Sequence, residues 1–126
     1  MSSFQYLITV SDDFLKLATQ EISQDILAIS AIMDSCKTDN DVLKNASSIE
    51  KHIHKIKGLA PMMGKEDLGD LAARIDSVLK KIIDGQNIPF FNDLSDCVSL
   101  MKTSLNSDCD LSEIKKRLET TLDGLQ

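Results

Sequence analysis

The sequence predicts an all-α fold: an antiparallel four-helix bundle, up-down-up-down, with one additional C-terminal helix. Three observations carry this. Apolar residues recur every three or four positions over five stretches, and no stretch sustains the period-two alternation of a half-buried strand. The breaks between stretches are short and polar, of the length that joins antiparallel helical neighbours. The apolar set is mostly Leu, Ile, Val, Ala and Met, with four Phe, one Tyr and no Trp, which suits helix packing better than a sheet.

The first helix is expected from Asp12 or Asp13, either of which caps it, to about Cys36. Phe14, Leu17, Ala18, Ile22, Ile26, Ile29 and Met33 mark its inward face, and a short turn over Ser3 to Leu7 precedes it. Thr38-Asp39-Asn40 reads as the break. The second helix runs from about Asp41 to Met63 on the stripe Val42, Ala46, Ile49, Ile53, Ile56 and Ala60. The third runs from about Lys65 to Asp84, with Glu66 and Asp67 at its positive end. Leu68, Leu71, Ala72, Ile75, Leu79 and Ile82 face inward, and Gly85 stops it. The fourth follows Pro89, from about Phe90 to Leu105, through Leu94, Cys97, Val98 and Met101. The fifth starts at Asp110, whose spacing to Glu113 reads as a capping box, and carries Leu111, Ile114, Leu118 and Leu122.

A chain of 126 residues, 42 % apolar and 27 % charged, has the composition of one ordinary globular domain over residues 1–126. A net charge of −6 argues against nucleic acid or an anionic membrane as a general partner. Cys36, Cys97 and Cys109 show no ligand spacing and read as reduced thiols. The N-terminus lacks a signal-peptide pattern, and no apolar run approaches the ~20 residues that span a bilayer. These features lead to the expectation of a cytoplasmic protein.

One stretch of the second helix carries chemistry: His54-Lys55-Ile56-Lys57-Gly58-Leu59-Ala60-Pro61-Met62-Met63-Gly64. At 100° per residue His54 lies about 100° from Ile53 and faces solvent, on one side with Ser47, Glu50, Lys51, Lys57, Gly58 and Pro61. An imidazole titrates near 6.5, so a neutral ring nitrogen is a competent nucleophile at neutral pH. A phosphoryl group accepted there brings roughly two negative charges, which Lys57 at i+3 and Lys51 at i−3 are placed to meet. Gly58 at i+4 leaves clearance, although glycine inside a helix costs about 1 kcal/mol relative to alanine. The other ring nitrogen needs a carboxylate to hold its tautomer, and Asp70, Asp76 and Glu50 are all candidates. His52 does not join His54 around a metal, because residues i and i+2 point about 200° apart on a helix. No metal site is expected. Lys51, Lys55, Lys57 and Lys65 read as a local basic patch, and Met62 and Met63 as core filling.

The run from His54 to Gly64 matches H-x-[IL]-K-G-x5-G, a pattern that resembles histidine-containing phosphotransfer (HPt) domains and arises by chance in on the order of one chain in 10⁴. Within that family the chain looks most like the N-terminal phosphotransfer domain of chemotaxis histidine kinases. The Met63-Gly64 end of the motif, the five-helix count and the Ile82-Ile83-Asp84-Gly85 end of the third helix carry this likeness. The resemblance covers nearly the whole chain, but only the eleven residues are specific. It implies that His54 is the phospho-acceptor, that Lys57 screens the phosphoryl group and that Gly58 gives it room. It implies that Asp76, twenty-two residues after the histidine, orients the ring. Lys51, Lys55, Pro61 and Lys65 would then meet the partners. Three positions depart from the family pattern: Asp76 stands for a glutamate, Lys55 for Thr or Ser, and Pro61 for a small residue. Pro61 lacks an N–H, leaves the Lys57 carbonyl without its helical donor and is expected to kink the helix.

The function implied is that of a phosphoryl carrier in a two-component phosphorelay. It takes the group from a histidine kinase catalytic domain and passes it to an aspartate of a response regulator receiver domain. No glycine-rich nucleotide loop is present, so the chain is expected to be no enzyme of its own. Mg²⁺ and ATP would belong to the partners, as would any larger kinase of which this is the first domain. The competing reading is a helical adaptor, or a degenerate HPt domain, that docks a partner through the same face without transfer.

Overall fold

The computed structural model describes residues 3–125, with side chains from Asp12 onward. Five helices account for the fold: α1 (Ser3–Asp34), α2 (Asp39–Met62), α3 (Glu66–Ile83), α4 (Phe91–Asn106) and α5 (Ser112–Asp123). No strand occurs among the described residues. The first four form the bundle, with α1 against α2 and α4, and α3 against α2 and α4; α5 covers the seam of α3 and α4.

Hydrogen bonds at the helix ends show the up-down order. The N-terminal Asp39 of α2 accepts from the first N–H of α4, Phe91, at 2.9 Å, so α2 and α4 begin at the same end. At the other end Lys65, just before α3, donates to the Ser104 carbonyl near the end of α4 at 3.2 Å.

The stripe of α2 is buried as expected: Val42, Ala46, Ile49, Ile53, Ile56 and Ala60. Each isoleucine there removes apolar area worth roughly 1.5–3 kcal/mol. On α1 the inward residues are Ala18, Ile22, Ile26, Ile29 and Met33, whereas Leu17 is 61 % exposed. It lies about 140° from the centre of the stripe those residues define.

Several expected boundaries move. The first helix starts at Ser3, not at Asp12 or Asp13, and absorbs the expected turn over Ser3 to Leu7. No Gly or Pro interrupts this stretch, and an interior aspartate costs only about 0.7 kcal/mol in propensity. The break falls at residues 35–38, and Asp39 and Asn40 are already helical. Thr38 caps α2 by accepting from Asp41 N–H at 3.2 Å, and the Asp41 carboxylate accepts from Lys37 N–H at 2.9 Å. At α5 the expected capping box is replaced by a tighter turn: Asp110 Oδ1 accepts from the N–H of Ser112, 2.9 Å, and from its hydroxyl. Leu111 takes the cap position, so Glu113 is too early in the helix to reach back as a box partner.

The α2–α3 turn sets the register of the two helices. Gly64 has φ +80°, Lys65 N–H donates to Ala60 O at 2.9 Å and Gly64 N–H to Pro61 O at 3.0 Å. This is a Schellman closure, which needs a residue free to be left-handed. Gly85 ends α3 in the same way, at φ +103°. Across the turn Pro61 faces Gly69 of α3, where a Cβ would lie 2.6 Å from Pro61 Cγ and 2.8 Å from Cδ. Thus Pro61, which the sequence offered only as a kink and a partner contact, has a packing partner in a glycine of the next helix.

Gly69→Ala is therefore expected to lower stability by about 1–3 kcal/mol, although alanine is the better helix former. In a Pro61→Ala background the penalty should vanish. A double-mutant cycle by urea unfolding checks this; equal effects in both backgrounds would refute the contact.

Candidate functional site

The buried stripe of α2 decides where His54 points. With Ile53 and Ile56 fully buried, the ring is driven outward and its side chain is 62 % exposed. Lys51 and Gly58 are exposed beside it, and a Cβ added at Gly58 would meet nothing within 4 Å. No packing contact therefore requires glycine at this position.

The ring's Nδ1 lies between two carboxylates, 3.8 Å from Asp76 Oδ2 and 4.0 Å from Glu50 Oε1. Neither distance is a hydrogen bond, but both place negative charge beside that nitrogen. Of the three candidate partners, Asp76 and Glu50 reach the ring. Asp70 is on the α5 edge of α3, with Lys115 at 3.8 Å.

Asp76 is the unusual member, because its side chain is only 1 % exposed. Its Oδ2 accepts from Lys80 Nζ at 2.8 Å and from Lys57 Nζ at 3.2 Å, while Oδ1 is buried without a partner. Burial pushes this carboxyl up, but the hydrogen bonds from Lys80 and Lys57 outweigh it, and Asp76 stays below the usual carboxylate range. Lys80 escaped the sequence reading. Its only trace there is an i,i+4 Asp-to-Lys spacing on α3.

The lysines do not form one free patch. Lys57 leans toward α3 and Asp76, while Lys55 leans the other way, to Glu21 at 3.1 Å and Asp25 at 3.3 Å on α1. A two-residue offset on a helix separates them by about 160°. Lys65 is drawn to the end of α4, and Pro61, though exposed, rests on Gly69. Lys51 stands exposed on the crest between the two flanks. Met62 is 67 % exposed rather than core, whereas Met63 packs partly against the core.

Glu50, His54 and Asp76 offer three ligand atoms within 4.8 Å of one another. A divalent cation there would have to displace two ammonium groups from Asp76, so the donor set favours the lysines. His52 turns away from this cluster, toward α1. A surface cleft of about 580 Å³ at the α2–α3 turn is lined by Lys65, Glu66 and Cys109 and does not include His54. Cys36 and Cys97 are buried, and burial pushes the Cys97 thiol up to about 12, which removes it from nucleophilic chemistry. Among the described residues no helix is long and apolar enough to cross a membrane. Compared with protein-family models, curated proteins and solved structures, the chain matches none.

The depressed Asp76 carboxyl gives a pH signature. Its contribution to stability is fully present above the unfolded value of about 3.9 and is lost as pH falls through the lower folded value. Wild type should therefore be more stable than Asp76→Asn at pH 7, with the difference shrinking below about pH 4. Thermal melts of both proteins across this range check it; a pH-independent difference would refute the ion cluster.

Proposed function

We propose that the chain is a phosphoryl carrier of the histidine-phosphotransfer kind, with His54 as the acceptor. The observation that carries this reading is an exposed imidazole whose Nδ1 faces two carboxylates, one of them buried. Negative charge on that side favours a proton on Nδ1 and leaves the lone pair on Nε2 of a largely exposed ring. In the step proposed, Nε2 attacks the terminal phosphorus of ATP held by a kinase domain. A P–N bond forms, the P–O bond to ADP breaks, and the Nδ1 proton remains between the ring and Glu50 and Asp76.

The surroundings support the same reading. Lys57 has three N–H donors and spends one on Asp76, so it retains donors for a phosphoryl oxygen without leaving its carboxylate. Lys80 adds a second positive charge on the same carboxylate. The open space at Gly58 gives a partner's active site a path to the ring, which explains a helix glycine without packing function. Lys51, exposed on the crest of α2, stands beside that path. The second half of the reaction, transfer to a receiver-domain aspartate, would use the partner's Mg²⁺.

Incubation with histidine kinases and labelled ATP should place acid-labile, base-stable phosphate on His54, located by fragment mapping. Gly58→Ala should raise stability by about 0.5–1 kcal/mol yet slow labelling of His54 by about tenfold or more. No label at His54 from kinases that charge other carriers would overturn the reading and leave an adaptor that docks without transfer. Faster or unchanged labelling in Gly58→Ala would remove the role given to the glycine.

A further inference from the structure

The run His52-Ile53-His54-Lys55-Ile56-Lys57 contains the same spacing twice, a histidine followed three residues later by a lysine. The structure gives each copy a buried aspartate from a different neighbouring helix. His54 and Lys57 meet Asp76 of α3, as described above. His52 and Lys55 meet Asp25 of α1, whose side chain is 3 % exposed. In both clusters one carboxylate oxygen takes the contacts and the other, Asp76 Oδ1 or Asp25 Oδ2, is buried with no partner.

The second cluster is the tighter one. His52 Nδ1–H donates to Asp25 Oδ1 at 2.9 Å, a true hydrogen bond, where the corresponding distance at His54 is 3.8 Å. A carboxylate accepts, so the proton resides on Nδ1 and the lone pair on Nε2. No described residue hydrogen-bonds Nε2, and the side chain is 33 % exposed. Lys55 Nζ, 3.3 Å from Asp25 and 3.1 Å from Glu21, stands on the same flank with exposed area to spare. An imidazole held by a buried carboxylate, open at its far nitrogen and accompanied by an ammonium, is prepared as a nucleophile toward an anionic electrophile.

We propose that His52 is a second phosphoryl-accepting residue, reacting at Nε2 on the α1 flank of α2. It rests on the carrier reading only for the identity of the group transferred. With a small phosphoryl donor such as phosphoramidate, the Nε2 lone pair attacks phosphorus. The new P–N bond replaces the bond to the donor nitrogen, and ammonia departs with a proton from solvent. The proton stays on the ring's Nδ1, hydrogen-bonded to Asp25, whose carboxylate balances the charge the ring acquires. The chain would then carry phosphate on two flanks of one helix, each open to a different partner.

The test treats wild type, His54→Gln, His52→Gln and Asp25→Asn with phosphoramidate, N-acetylhistidine being present as an internal reference. Sites are mapped by fragmentation at alkaline pH, and the phosphorylated nitrogen is identified by NMR. The inference expects label on His52 Nε2 in wild type and in His54→Gln, about tenfold or more faster than on N-acetylhistidine, and a drop of similar size in Asp25→Asn. Label on His54 alone would overturn it and leave the carrier reading intact. Label on His52 alone would support it and overturn the assignment of His54. Label on neither would overturn both. A rate at His52 no greater than at N-acetylhistidine would make it an ordinary surface imidazole; this comparison needs no variant and decides the matter even if Asp25→Asn does not fold.

Discussion

A carboxylate buried between two helices must be neutralised where it stands, and Asp76 imposes that demand on the centre of this molecule. Its side chain is almost fully enclosed, so ionisation depends on the two ammoniums at its Oδ2. That requirement fixes Lys57 against α3 and Lys80 one turn beyond Asp76. It also puts a permanent negative charge under the ring of His54. Loss of either lysine leaves a buried charge short of its partner, and loss of Asp76 removes the nearer of the two carboxylates beside the ring. The α2–α3 packing that brings these groups together depends in turn on Pro61 meeting a glycine at 69 and on the left-handed Gly64.

The same helix solves a second version of this problem on its other flank. Because adjacent inward residues Ile53 and Ile56 anchor α2, the positions around them alternate between its two neighbours, α1 and α3. His54 and Lys57 fall to the α3 side and His52 and Lys55 to the α1 side, each pair over a buried aspartate. What reads in one dimension as a run of basic residues is in three dimensions two separated acid–base clusters. Lys55, Lys57 and Lys65 are engaged locally, which leaves Lys51 and Gly58 exposed on the crest.

Much of this was legible in the sequence, and the reasons divide by physics. The five helices and the six-residue stripe of α2 follow from periodicity, because burial enforces it. The exposure of His54 follows from the same stripe. The beginning of α1 was not legible, since an aspartate pair is equally at home in a cap and in an exposed helix interior. Asp70 and Asp76 lie about 120° apart on α3. Periodicity places both on polar edges but does not say which edge meets α2; the arrangement of the bundle does. Lys80 and Asp25 were missed for a related reason: each matters through a partner on another helix. The fit of Pro61 against Gly69 was not legible either, because it too is a contact between two helices.

The central claim is that the carboxylates beneath His54 hold its proton on Nδ1 and leave Nε2 free to react. The most direct measurement is a long-range nitrogen–proton correlation spectrum of the His54 ring in the neutral protein, assigned by comparison with His54→Gln. The account requires the Nδ1–H tautomer at His54 and a shift of that population toward Nε2–H in Asp76→Asn. A ring that is mainly Nε2–H in the wild type, or indifferent to Asp76, would contradict it.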